Sequence, residues 1–87
     1  MERHTVLLSG KEIVLTLKEY DLLHIFMRNQ GIVLTRELLL QRVWGKDFIG
    51  ETRTIDVHVG TLRSKLGTEG NQIKTIRGVG YRMGEEN

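Results

Sequence analysis

Apolar positions along the 87-residue chain change period several times, and each change marks a predicted element. Residues 4–8 and 11–15 read as two strands, with Ser9-Gly10 as the tight turn between them. Thr16-Leu17-Lys18-Glu19 has the spacing of a capping box, in which the threonine caps a backbone N–H and the glutamate reaches back. Tyr20, Leu22, Leu23, Phe26 and Met27 then follow at helical spacing, and Gly31 suits the left-handed conformation that closes a helix. Ile32-Val33-Leu34 is a short apolar bridge. Thr35 is a candidate cap for a second helix, with Glu37 in its first turn and Leu38, Leu39, Val43 and Trp44 as its apolar face, ended by Gly45. Residues 46–51 form a loop, and Thr52 is a candidate cap for a third helix running to Leu66. Gly67 and Gly70 break that pattern. Residues 72–83 read as a hairpin with Gly78 and Gly80 at its tip.

The predicted order is strands, helix, helix, loop, helix, hairpin. It gives one α+β domain over residues 1–87 with the layout of a winged helix-turn-helix: N-terminal antiparallel strands, three helices and a C-terminal β-hairpin wing. On the third helix, Ile55, Val59, Leu62 and Leu66 fall within a stripe about 60° wide, the expected core face. The opposite face carries Arg53, Val57, Gly60, Thr61 and Ser64, bordered by Thr54. His58 and Lys65 lie on one flank, Asp56 and Arg63 on the other. A helix that is basic at its start and then short and polar can approach the floor of a DNA major groove. Val57 is then available to a thymine methyl and Thr61 to a base edge. A solvated face with one exposed valine is the bland alternative.

Charge decides between them by its placement. Thirteen Lys and Arg against eleven Asp and Glu give only +2, with a pI near 9.2. Residues 1–52 are neutral, with seven basic and seven acidic side chains. Residues 53–84 hold Arg53, Arg63, Lys65, Lys74, Arg77 and Arg82 against Asp56 and Glu69, a net +4, and Glu85-Glu86 brings the sum back. The excess therefore lies in the two elements a winged helix presents to DNA. The longest apolar runs are far short of a membrane span, and no apolar stretch behind Met1 suggests a signal peptide. The absence of Cys removes disulfides and thiolate sites and fits a reducing, cytoplasmic setting.

At these residues the chain resembles the OmpR/PhoB family of bacterial response-regulator output domains. The segment Leu15-Thr16-Leu17-Lys18-Glu19-Tyr20-Asp21-Leu22-Leu23 resembles the opening of that family's first helix. Thr35-Arg36-Glu37-Leu38-Leu39 through Val43-Trp44-Gly45 resembles its second. Arg53-Thr54-Ile55-Asp56-Val57-His58-Val59, with Leu62-Arg63-Ser64-Lys65-Leu66, resembles its recognition helix, and Thr75-Ile76-Arg77-Gly78-Val79-Gly80-Tyr81-Arg82 its wing. The resemblance implies sequence-specific binding of double-stranded DNA at tandem direct repeats, as a head-to-tail homodimer, in two-component transcription regulation. The helix over 53–66 would enter the major groove and the wing over 75–82 the minor groove. Val57, Thr61, Ser64 and Arg77 are then the base-reading residues, Arg77 drawn by the negative potential of a narrow groove. Arg36, Trp44, Arg53, Thr54, His58, Thr75 and Tyr81 are then phosphate-facing. The loop Lys46, Asp47, Phe48, Ile49, Gly50, Glu51 matches one that meets RNA polymerase in some members.

Two departures are visible. Gly60 and Thr61 stand where family members often carry basic residues, so the bidentate arginine–guanine contact is missing there. The family also has more N-terminal sheet and a receiver domain before it, so the sequence looks like an output domain taken from a longer regulator. The remaining chemistry is thin. The three histidines are too scattered for a zinc site, no cofactor motif is present, and Asp56 and His58, two apart on a helix, do not face each other as a catalytic dyad. No enzyme is expected. Trp44 is expected partly in the core, with its indole N–H at the rim. Arg63 is open between a structural ion pair and DNA. Phe48 and Ile49 are expected to anchor the loop inward. The competing function is a winged helix used as a protein-interaction module, which would need a large apolar surface on the third helix.

Overall fold

The computed structural model describes residues 4–8, 10–46, 48 and 50–85. Strands β1 (His4–Leu8) and β2 (Lys11–Leu15) pair antiparallel, with Val6 opposite Ile13, around a turn in which Gly10 takes a φ of 79°. Helix α1 (Leu17–Arg28) begins with the predicted capping box. The Glu19 N–H donates to Thr16 Oγ1 at 3.3 Å while the Thr16 N–H donates to Glu19 Oε1 at 3.0 Å. Helix α2 (Arg36–Trp44) is capped by Thr35, whose hydroxyl accepts from the Leu38 N–H at 3.1 Å. Lys18 closes its far end by donating to the Val43 carbonyl at 3.0 Å, which ties the start of α1 to the last turn of α2.

Helix α3 (Arg53–Leu66) runs over the predicted residues, but Thr52 does not cap it. Thr52 already has helical dihedrals, φ −61° and ψ −20°, so its hydroxyl cannot reach forward as a cap in the extended region does. The first N–H groups are met by backbone instead, Thr54 to the Glu51 carbonyl and Ile55 to the Thr52 carbonyl, both at 3.0 Å. A 3₁₀ turn (Gly67–Gln72) follows where the glycines were expected only to break the helix. Gly70 is buried there against the Arg63 carbonyl, which a Cβ would approach to 2.4 Å.

Strands β3 (Leu34–Thr35), β4 (Ile73–Ile76) and β5 (Gly80–Met83) form a second antiparallel sheet in the order β3-β5-β4. The apolar bridge at 32–34 thus contributes a strand that the sequence pattern does not reveal. Its pairing corrects the reading of Gly80 as a tip residue. Gly80 is a buried strand residue opposite Thr35 and Ile76, and a Cβ on it would sit 2.0 Å from the Leu34 carbonyl. Gly78, with φ 76°, belongs to the tip itself. The core joins Leu15, Leu22, Phe26, Leu34, Leu39, Ile55, Val59, Leu62, Ile73 and Tyr81 between the helices and this sheet. Leu40 is buried as well, because the nine-residue α2 is covered over a wider arc than its predicted stripe.

Candidate nucleic-acid interface

The four stripe residues of α3 are buried, Ile55 and Leu62 completely. Arg53, Val57, Gly60, Thr61 and Ser64 are all exposed, Val57 by 61%. No other large apolar residue of α3 is exposed, and an added Cβ at Gly60 would meet nothing within 4 Å. Arg77 is exposed in the turn between β4 and β5. The expected base-reading residues therefore lie at the surface of α3 and at the wing tip.

Each flank of α3 is fixed by a carboxylate. On one side Glu19, 4% exposed, accepts from Thr61 Oγ1 and from Lys65 Nζ, both at 2.7 Å. Burial pushes the Glu19 carboxyl up, but the hydrogen bonds from Lys65, the Thr16 N–H and Thr61, with the Lys65 charge, outweigh it and hold its pKa at about 2. On the other side Asp56 accepts from the Tyr81 hydroxyl and lies 3.1 Å from Arg36 Nε, an ion-pair contact without the alignment of a hydrogen bond. Burial, then the hydrogen bond to Asp56 and its charge, raise the Tyr81 pKa against the opposing pull of Arg36 and Arg63.

Several expected phosphate-facing residues are thus held within the domain. Tyr81 is 5% exposed and joins β5 to α3 through Asp56. Thr75 accepts from Arg63 Nη2 at 2.8 Å, while Arg63 Nε donates to the Ile73 carbonyl at 3.0 Å and the guanidinium lies over the Tyr81 ring. Arg63, left open between an ion pair and DNA, is therefore a bracket between α3 and the wing with no carboxylate partner among the described residues. Trp44 is half-buried against the core, its ring 4.7 Å from His58 and 5.3 Å from Lys18 Nζ. His58 Nδ1 lies 2.9 Å from the Thr54 carbonyl. Arg53 is 81% exposed, with Glu51 3.4 Å away. In the loop, Phe48 turns inward, 5.8 Å from the Trp44 ring and packed over Gly50, whereas Asp47 and Ile49 lie outside the described residues. Lys46, Gly50 and Glu51 are exposed.

The sequence reading missed the part played by Glu19 and Asp56. The capping box fixes where the Glu19 carboxylate starts, but its partners on α3 are 42 and 46 residues away. Among the described residues there is no group of three or more potential metal ligands, and no helix is long and apolar enough to cross a membrane.

Residues 10–83 match the family described as "Transcriptional regulatory protein, C terminal". The chain is 51% identical over 86 residues to the sensory transduction protein RegX3 of Mycolicibacterium smegmatis, covering 95% of this chain and 38% of that protein. It thus spans well under half the length of this relative. The DNA-binding domain of Bacillus subtilis CssR superposes with a TM-score of 0.78 at 35% identity, covering 92% of this chain and 99% of that one. The Klebsiella pneumoniae RstA DNA-binding domain, solved in complex with the RstA box, gives 0.79 at 32% identity, over 92% of this chain and 82% of that one. This is a family of transcription-factor domains and not of enzymes. The chain belongs to the family of transcriptional regulatory protein C-terminal domains, the winged-helix DNA-binding domains of OmpR/PhoB-type response regulators.

Proposed function

We propose that the domain binds double-stranded DNA with α3 in the major groove and the β4–β5 turn in the adjacent minor groove. The observation that carries this reading is the exposed face of α3, basic at Arg53 and then short and polar but for Val57 as far as Ser64, with Arg77 exposed at the wing tip. Val57, Thr61, Ser64 and Arg77 read bases, and Arg36, Trp44, Arg53, Thr54, His58, Thr75 and Tyr81 line the phosphate side. Two copies bind tandem direct repeats head to tail, the loop over 46–51 meets RNA polymerase, and the domain serves as the cytoplasmic output part of a longer two-component regulator. The alternative protein-interaction module has little support, since Val57 is the one large apolar residue exposed on α3.

Titration onto duplex DNA at two or more salt concentrations tests the proposal. Affinity should fall steeply as salt rises, by roughly 0.9 log units per log unit of salt for each phosphate neutralised. Arg77→Ala should weaken binding more than Lys11→Ala, which removes the same charge from the exposed N-terminal hairpin. Equal losses at the two positions would remove the wing from the interface.

A further inference from the structure

The polarity of the groove-facing surface at Thr61 is set from behind, by a residue of another helix. Glu19 Oε1 takes two donors, the Thr16 N–H at 3.0 Å and Lys65 Nζ at 2.7 Å, and Oε2 faces the Thr61 hydroxyl at 2.7 Å. A carboxylate gripped by an ammonium and a backbone N–H carries no proton of its own. In the contact with Thr61 it is therefore the acceptor, and Thr61 must donate. A hydroxyl has one proton and two lone pairs. With the proton held by Glu19, and the neighbouring His58 carbonyl at 3.0 Å able only to share it, the outward capacity of Thr61 is that of an acceptor. No side chain at Gly60 supplies a donor next to it.

We infer that Glu19 is a positioning residue that makes Thr61 an acceptor-only reader, so that the base facing Thr61 presents an amino group, adenine N6 or cytosine N4. Guanine, with O6 and N7, and thymine, with O4, offer only acceptors along the major-groove edge and are disfavoured at that place. The inference rests on α3 entering the major groove and specifies what it reads there. It also separates Thr61 from Ser64, which is exposed with its hydroxyl free to donate or accept.

The test is selection from a random duplex pool with the wild-type domain, Thr61→Val and Glu19→Gln, followed by base analogues in the selected site. Thr61→Val keeps the branched shape and removes the hydroxyl. Because it also takes a donor from the buried Glu19, its folding is checked by circular dichroism, and the base-analogue arm on the wild-type domain needs no variant. Thr61→Val should erase an adenine or cytosine preference at one position and leave the others. Where that base is adenine, replacing it with purine, which lacks N6, should weaken wild-type binding by about three- to tenfold, while 7-deazaadenine leaves the Thr61 contact unchanged. In Glu19→Gln the amide oxygen remains with Thr16 and Lys65, which turns the amide NH2 toward Thr61. Thr61 must then accept from the amide, and its proton turns to the His58 carbonyl 3.0 Å away or to a base. With a lone pair spent inward, the preference for an amino-bearing base should weaken.

A guanine or thymine at the Thr61-dependent position of the wild-type site would overturn the inference. So would a Thr61→Val site identical to the wild type, or a folded Glu19→Gln variant whose preference for the wild-type base is undiminished. Should Glu19→Gln fail to fold by circular dichroism, the Thr61→Val and purine arms still decide. Failure of the wild-type domain to enrich any sequence would count against the DNA-binding reading itself and is distinct from all of these.

Discussion

Gly60 sets stability against function within one residue, and Gly60→Ala separates the two. The glycine lies inside α3 with ordinary helical dihedrals, and an added Cβ would meet nothing within 4 Å. Alanine there brings no clash and removes the backbone freedom that glycine loses on folding, which stabilises a helix interior by roughly 0.5–1 kcal/mol. For a domain of this size that is a rise in melting temperature of about 2–8 °C. The same methyl group protrudes from the exposed face among Val57, Thr61 and Ser64. If the helix backbone rests on the groove floor at Gly60, the methyl overpacks a close contact. Overpacking of about 1–3 kcal/mol then weakens DNA binding by roughly 5- to 150-fold. Thermal melting and DNA titration on the same protein sample read both effects. A lower melting temperature would show that the helical environment of Gly60 is misassigned. A higher one with unchanged affinity would refute close approach and leave Gly60 without a role in recognition.

Val57→Asp should abolish sequence selection, because it places an anion where the groove is lined by phosphate, and a variant that selected the wild-type site would remove Val57 from the interface. The Glu19 carboxyl, held at about 2 against an ordinary 4.5, contributes stability that is complete above pH 4.5 and is lost as the pH falls toward 2. That contribution is on the order of 3 kcal/mol, so urea midpoints should fall between pH 5 and 3 more in the wild type than in Glu19→Gln. Equal falls would sink the assignment. Tyr81→Phe removes the donor to Asp56 and should cost about 1–2 kcal/mol in denaturant unfolding, with the wing amides near residue 81 exchanging faster. A change below about 0.5 kcal/mol would mean the bond contributes nothing net.

What was legible in the sequence is what is local. The capping box needs only Thr16 and Glu19 three apart, and the four-residue stripe of α3 needs only helical period. The exposed face of α3 followed from that stripe by geometry. The misreadings have long-range or conformational causes. Strand β3 is two residues long and exists because β5 pairs with it. Gly80 looks like a turn glycine until the Leu34 carbonyl is seen against it. Thr52 is a good cap by residue type, yet the chain is already helical there. Asp56 and His58 take their side-chain partners from other elements, Tyr81 and Arg36 for one and Trp44 for the other, while the Thr54 carbonyl beside His58 is one turn back on α3 itself.

The charge arithmetic survives folding for a reason the sequence could not supply. Among the described residues three ion pairs cross the boundary between the neutral N-terminal part and the basic remainder, and the two less exposed ones cross in opposite directions. Glu19 of the first part takes Lys65 of the second, while Arg36 of the first takes Asp56 of the second. One basic and one acidic charge of the second part are thereby neutralised, so its net +4 is unchanged. Arg63 and Arg82 keep their charge because their Nε groups donate to neutral carbonyls, of Ile73 and Gly84. Of the three, only the Arg53–Glu51 contact draws on the excess, and at about four-fifths exposure of both side chains it is weak. The carboxylates that orient α3 are therefore matched one for one by Lys65 and Arg36. Arg53, Lys74 and Arg77 remain exposed at the start of α3 and on the wing, where a phosphate backbone on either side of the groove would meet them.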